Sequence, residues 1–448
     1  MRKISAGLIA TLLLLVTALA AVNGFAVAKP TAAQAPLTTP AIDALLADAP
    51  LADAKWTIIV YLAADNNLQA AGLGDLDEME LVGSVGGVNV IVLMDTLDAV
   101  IGTHWYYVGT GQNHIDLANG IHDCDCKEIA GGCPGELNMG DPAKLSYCLE
   151  KAIKFAPADN YMLDLWDHGG GWWGVCYDDS STPLPSGSTD RLTMDEVQKG
   201  ILAAKQPDGN AVDLSIIGYD ACFMGMVEIA YENRNLADLM VASITTVPGD
   251  GWDYTAWLTE IQKTEKTPYD IAQKAAQTYV EFYSICAGAG LGGFPFTSMG
   301  VYDLTKVGKL VKDGLDPLAR ALIPLMDQYD LRGIIQSSES QTPQIQFHGE
   351  AFPFTDIGWY VTLLGEKMPD LQVETARVLT LLTGTFDMTV LYFDYVTPDA
   401  DMCLRSYGMS IYYTISSDKL YDNYLTSGLD FVEDTQWDEF LWALAMTA

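Results

Sequence analysis

Five short apolar runs, rich in β-forming residues and each closing on a polar residue, restrict this chain to a narrow set of architectures. The runs are Trp56–Leu62, Val88–Met94, Tyr161–Trp166, Leu214–Gly218 and Leu239–Ser243. Their apolar character is near-continuous rather than alternating, the pattern of strands buried on both faces. Segments 68–81, 142–155, 193–204 and 223–233 have helical spacing and fall between the runs. Such alternation predicts an α/β fold, a mostly parallel central sheet flanked by helices.

In open sheets of this kind ligands and chemistry gather at the carboxyl edge of the strands. The runs lead into Asp65, Asp95, His168 and Cys222, so that edge is predicted to carry all four. Cys222 follows a predicted strand and opens a predicted helix, where backbone amides would favour a thiolate. A buried, inert cysteine is the plain alternative. Of the five histidines (His104, His114, His122, His168 and His348), His168 alone occupies an equivalent strand end. The glycines after it, Gly169 to Gly171, let backbone N–H groups approach a developing oxyanion. A histidine and a cysteine facing one cleft form the arrangement a cysteine hydrolase needs, whereas His168 alone would read as a hydrogen-bonded turn residue.

Arg2 and Lys3 precede an uncharged run, Ile4–Ala28, which reads as an export signal cut after Ala20 or Ala28, or as an uncleaved anchor. Either places the protein outside the cytoplasm, secreted or at the cell surface, with membrane contact confined to that segment. Residues 29–54, rich in Ala, Pro and Thr, read as a linker or pro-segment, and 55–254 as the catalytic core. Residues 255–448 contain predicted helices at 267–283 and 304–326 and predicted strands at 297–302 and 408–413. That part either completes the sheet or forms a small subdomain.

Lys plus Arg total 24 against 59 Asp plus Glu, a formal net charge of −35, which argues against nucleic acid as a partner. Eight cysteines in an exported chain point to disulfides. Cys124, Cys126, Cys133 and Cys148 lie close together and are predicted to form two local disulfides, with a metal cluster or free thiols as alternatives.

Two motifs carry a resemblance. Asp167-His168-Gly169-Gly170-Gly171-Trp172 and Gly218-Tyr219-Asp220-Ala221-Cys222-Phe223-Met224-Gly225 resemble the histidine and cysteine motifs of clostripain-like cysteine peptidases, a caspase-like fold group. Segments 60–68, 136–142, 247–254 and 408–413 resemble that family's recurring segments in the same order, so the likeness runs from Lys55 to Leu444. It implies a caspase-like α/β fold with a C-terminal helical or mixed extension, and an exported cysteine endopeptidase. In that reading Cys222 attacks the peptide carbonyl, His168 protonates the leaving amine, and the N–H groups of Gly169 and Cys222 hold the oxyanion. The pair acts as a dyad, and no cofactor is required for the chemistry.

The resemblance also implies peptide or protein substrates cut after Arg or Lys. The acidic pocket would hold Asp220, with Asp250 as a second candidate and Trp252 as a wall. The plain readings are cap or turn aspartates and a packed aromatic. Ser243-Ile244-Thr245-Thr246 departs from the Ser-Glu pair of many relatives, which bears on the pocket and not on the dyad. Self-cleavage between the two motifs is placed at Arg191-Leu192, in a long polar loop, although Arg191 also suits an ordinary surface position. A calcium response is implied as well, although no EF-hand loop is present. The competing function is a catalytically silent protein whose acidic cleft binds basic peptides or cations; a third is an acidic cell-surface structural protein.

Overall fold

The computed structural model describes residues 54–97, 102–109, 115–116, 136–180, 189–289, 297–326, 328–334, 346–347, 350–351, 353–396, 406–414 and 424–446. The central strands are β1 (Ala54–Ala64), β2 (Val88–Thr96), β5 (Ala158–Trp166), β8 (Leu214–Asp220) and β9 (Ala237–Ala242). Each is parallel to its neighbours in the order β2-β1-β5-β8-β9. Every residue of β1 except Lys55 is buried, which explains why its sequence is apolar on both faces. Antiparallel strands complete both edges. Strands β3 (His104–Tyr107) and β4 (Ile115–Asp116) follow β2, and β10 (Thr297–Asp303) and β14 (Val390–Val396) follow β9. The expected fold class holds, and the later half of the chain completes the sheet.

Helices cover the two faces. On one side α1 (Gln69–Glu80), α5 (Tyr254–Ile261) and α6 (Pro268–Gly288) pack Leu76, Met79, Trp257, Ile261 and Tyr279 against Trp56, Ile58, Val60 and Leu62 of β1. On the other lie α2 (Pro142–Phe155), α3 (Met194–Ala203) and the short α4 (Val227–Asn233). The β1 residues of opposite parity turn that way: Thr57 Oγ1 donates to Ala156 O at 2.7 Å, and Tyr61 OH to Met139 O at 3.0 Å. Helix starts are marked in the sequence. Asp141 caps α2, and Thr193 with Glu196 forms a capping box on α3, as do Thr267 and Asp270 on α6.

Three expectations need revision, and one left open is decided. The helix after Cys222 begins at Val227 rather than Phe223, because residues 223–225 are held in a bridge: Phe223 N donates to Thr245 O at 2.8 Å and Gly225 N to Ser243 O at 2.7 Å. Phe223 takes φ 65°, which ends β8 in a turn. The segment 408–413 does not join the main sheet. Its strand β15 (Ser410–Tyr412) pairs antiparallel with β13 (Phe354–Asp356), after the small hairpin β11 (Gln346–Phe347) and β12 (Glu350–Ala351). Cys148 is a wholly buried free thiol on α2, so the four-cysteine pairing fails at that residue; Cys124, Cys126 and Cys133 lie outside the described residues. Finally, Arg191-Leu192 is not an open loop. It sits in β7 (Asp190–Leu192), paired with β6 (Val175–Asp178). Leu192 is fully buried, and Arg191 Nε donates to Trp173 O at 2.9 Å.

The tail of the chain clamps α4, the helix beyond Cys222. Tyr412 N donates to Glu228 Oε1 at 2.8 Å, Phe431 N to Glu232 Oε1 at 3.2 Å, and Tyr231 OH to Asp434 Oδ2 at 2.6 Å. Arg234 pairs with Asp430 at 2.8 Å.

A protease must draw several residues out of a paired strand to cut it. Limited trypsin digestion of the native protein should therefore leave Arg191-Leu192 intact, and N-terminal sequencing of purified protein should show no start at Leu192. A fragment beginning there would contradict the pairing of β6 with β7.

Candidate active site

The site follows from strand register. β5 and β8 are parallel, with Trp166 opposite Asp220 and Asp167 N donating to Asp220 O at 3.2 Å. His168 lies two residues past Trp166 and Cys222 two residues past Asp220, so the two emerge at equivalent points of adjacent strands. Asp65 follows β1 and Asp95 lies near the end of β2, at the same edge. The four residues expected at the carboxyl edge are all found there.

Gly169 fits the histidine segment against the cysteine segment. A Cβ at this position would lie 2.2 Å from Cys222 O and 2.9 Å from Cys222 N, so no side chain is tolerated. The Gly169 N–H reaches the Cys222 sulfur, as does Val247 N at 3.2 Å. The donor expected at an oxyanion is thus beside the nucleophile. Cys222 is partly exposed, while Asp220 beneath it is buried.

His168 is held by Asn67, whose Oδ1 lies 3.0 Å from Nε2. A carboxamide oxygen only accepts, so Nε2 carries the proton and Nδ1 is left as the base. Tyr177 stands edge-on to the imidazole, with ring centroids 6.5 Å apart. Asp167 beneath takes Asn66 Nδ2 at 2.8 Å and the N–H of Tyr177. Burial lowers the His168 pKa below its ordinary value, and burial pushes the Cys222 thiol up to about 11. Both shifts favour an uncharged thiol and imidazole. The helix expected to open at Cys222 begins instead at Val227, five residues on, too late to place its N-terminal amides at the sulfur.

The candidate pocket residues separate. Asp220 Oδ2 accepts from Trp252 N at 2.9 Å and lies 3.1 Å from Tyr254 OH, while no donor reaches Oδ1 among the described residues. Asp250 is exposed on the following turn. Trp252 is in the core, 1 % exposed, with its ring against Gly218, so it supplies a backbone donor rather than an open wall. Ser243 and Thr245, part of the departing segment, share buried hydroxyl contacts with Ser298.

Two acids that the sequence reading did not single out join Asp220. Asp75 of α1 accepts from Trp166 Nε1 at 2.6 Å, and Asp164 of β5 lies 2.8 Å from Tyr254 OH. Gly251, at φ 54°, leaves the space between them: a Cβ there would lie 2.7 Å from Asp220 Oδ2 and 2.9 Å from Asp75 Oδ2. Burial and then Asp220 push Asp75 up to about 10, and burial and then Asp164 raise Asp220 well above the usual carboxylate range. Among the described residues no ion pair neutralises any of the three. Asp164, a carboxylate inside an apolar strand, was the available signal.

A second acidic group, Asp65, Asp95, Glu136 and Asp178, offers oxygens all within 4.8 Å of one another. Burial and then Glu136 push Asp95 up to about 9. Asp65 and Asp95 close apolar runs of the sequence and Glu136 opens segment 136–142, but only the fold brings them to Asp178.

The sequence profile of the clostripain family matches residues 60–443. Clostripain of Hathewaya histolytica is 33% identical over 227 residues, which cover 45% of this chain and 41% of that protein. The matched stretch thus spans less than half of that relative. Among solved structures, an inactive zymogen C11 protease from Parabacteroides distasonis is similar with a TM-score of 0.58 at 18% identity, covering 85% of this chain and 98% of the other. A secreted C11 cysteine protease from Bacteroides thetaiotaomicron, in complex with an irreversible peptide inhibitor, has a TM-score of 0.55 at 18% identity, covering 88% and 99%.

A thiol with a pKa near 11 gains thiolate about tenfold per pH unit through the neutral range. Alkylation of Cys222 by iodoacetamide, followed by mass spectrometry, should accelerate accordingly from about pH 7 to about pH 10. A rate independent of pH near neutrality would reveal a preformed thiolate.

Proposed function

The chain belongs to the clostripain family of cysteine peptidases, and we propose that it is an exported endopeptidase that hydrolyses peptide bonds after Arg or Lys through a Cys222–His168 dyad. The observation that carries this reading is the register of β5 and β8, which sets His168 and Cys222 at matching strand ends with Gly169 packed between them.

The chemistry follows from two neutral groups. As Sγ approaches the scissile carbonyl carbon, its proton passes to Nδ1 of His168, and the carbonyl oxygen takes up negative charge. The N–H groups of Gly169 and Cys222 stabilise that oxygen, each such donor being worth about 10²–10³ in rate. The C–N bond then breaks as His168 returns the proton to the leaving amine. Water, deprotonated by His168, attacks the thioester; the acid departs and Cys222 recovers its proton. Asn67 acts by holding the ring at Nε2, which leaves Nδ1 free to take the proton.

Basic specificity is supported by Asp220, a buried carboxylate under the nucleophile, with Asp75 and Asp164 around it. A guanidinium or ammonium entering there would supply the missing positive charge and draw the acids into their ionised form. Export is supported by Arg2, Lys3 and the uncharged run after them. One structural relative is itself described as secreted. Among the described residues no helix is long and apolar enough to cross a membrane.

Fluorogenic peptides bearing Arg, Lys, Asp, Asn or Leu before the scissile bond test the reading. Wild type should cut after Arg and Lys, and Cys222→Ala should be inactive. Asp220→Asn should lower kcat/KM for those substrates by about 30- to 1000-fold, corresponding to about 2–4 kcal/mol for a buried charge pair. Preference for Asp, Asn or Leu would discard the basic pocket. Asn67→Ala should lower kcat about tenfold with little change in KM, because it disturbs proton transfer and not substrate binding. An equal loss in KM with kcat preserved would assign Asn67 to substrate binding instead.

A further inference from the structure

The segment that follows His168 carries a hydroxyl that takes no part in the chemistry of the dyad. Tyr177 stands in β6, half-buried, with its ring edge-on to the imidazole. Both of its backbone groups are fixed: its N–H donates to Asp167 Oδ2, and its O accepts from Asn66 Nδ2 at 3.0 Å. Cys176, the residue before it, takes φ 57°, a conformation unfavourable for a residue with a Cβ, and the β6–β7 register shifts between Val175 and Asp178. The Arg191 guanidinium lies on the ring, its carbon 5.9 Å from the centroid, and is itself held by the bond from Nε to Trp173 O.

Every part of Tyr177 except its hydroxyl thus has a partner. The hydroxyl makes no hydrogen bond among the described residues. It lies against Gly170, where a Cβ would stand 2.8 Å from the oxygen and 3.3 Å from Trp173 Cβ. Gly170 has φ −113°, which any residue adopts, so its missing side chain serves to leave room for the hydroxyl. Burial raises the Tyr177 pKa above its ordinary value, with Arg191 acting the other way, so the group stays a donor through the neutral range.

A substrate supplies the acceptor. The leaving amine takes its proton from His168, so its nitrogen must come within about 3 Å of the imidazole. The residue that carries this nitrogen must therefore pass the ring, whose neighbours are Gly170 along the chain and Tyr177 in space. Its backbone carbonyl, taken out of water, needs a donor. We propose that Tyr177 is a substrate-binding residue for the leaving side, its hydroxyl donating to the carbonyl of the residue after the scissile bond. The ligand class is a peptide that continues past the bond to be cut, which favours interior bonds over terminal amides. The inference rests on the peptidase reading, and the test separates the two.

Fluorescence anisotropy with full-length Cys222→Ala protein compares two dye-labelled peptides of one sequence, one ending at Arg as the primary amide and one continuing for several residues. Adding Tyr177→Phe, which keeps the ring beside His168 and Arg191, should weaken binding of the longer peptide about three- to tenfold more than that of the shorter, the scale of one hydrogen bond. Equal changes for the two peptides, or none, overturn the subsite. Thermal melting checks that the variant is folded. Turnover adds a second readout, with a quenched fluorescent form of the longer peptide and an aminomethylcoumarin amide of the shorter one. Tyr177→Phe in the otherwise wild-type enzyme should lower kcat/KM about three- to tenfold more for the peptide than for the coumarin amide, which has no carbonyl at that place. An equal loss with both substrates makes Tyr177 a support for His168 and overturns the proposal. Discrimination in binding, with neither substrate hydrolysed by wild type, would retain the subsite and refute the peptidase reading. Hydrolysis of both substrates in a ratio that Tyr177→Phe leaves unmoved would do the reverse.

Discussion

The parallel pairing of β5 with β8 is the constraint on which the rest depends. A parallel ladder fixes register through evenly spaced backbone hydrogen bonds, and a slip of one residue would turn every side chain to the opposite face. Trp166 opposite Asp220 therefore determines that His168 and Cys222 leave the sheet side by side. Gly169 converts that proximity into contact, since its missing side chain lets one backbone rest on the other. The histidine and cysteine need no long loops to find each other, and the reactive pair inherits the rigidity of a core whose strands are buried on both faces.

Charge is arranged around that pair with a consistent logic. Acids gather in two buried groups, one beneath Cys222 and one beside the turn that holds His168. Neither contains a basic residue among the described ion pairs. Each group is costly in isolation and becomes favourable when positive charge arrives from outside the chain. For the first group, the proposed peptidase reading assigns that charge to a basic substrate side chain. The net charge of −35 is therefore only partly a matter of solvated surface.

Much of this was legible in the sequence. The runs beginning at Trp56, Val88, Tyr161, Leu214 and Leu239 became the parallel core because continuous apolar character reports burial on both faces. Helix 142–155 could be read to the residue, because Asp141 and Pro142 mark its start. What escaped depends on partners distant in the chain. Residues 223–225 have helical spacing but are captured in a turn by backbone hydrogen bonds to Ser243 and Thr245. β14 is a half-exposed edge strand with no continuous apolar run to announce it. Arg191 looks exposed in a polar stretch, and its position against Trp173 and Tyr177 exists only after β6 and β7 pair. Cys148 has three cysteines near it in sequence but faces the core from α2. The roles of Asn67, Asp75 and Glu136 likewise required three dimensions, since none occupies a motif that names its chemistry.

The clamp on α4 has a consequence for the timing of biosynthesis. Glu228, Tyr231, Glu232 and Arg234, all within or just after the helix that follows the nucleophile, find their partners at Tyr412, Asp434, Phe431 and Asp430. β10 and β14, which close the sheet on the cysteine side, also come late in the chain. A ribosome that has made His168 and Cys222 has yet to synthesise any part of the clamp. The nascent chain thus carries both reactive side chains without the frame that aligns them. The frame around His168 and Cys222 is therefore complete only once residues 412–434 have been made.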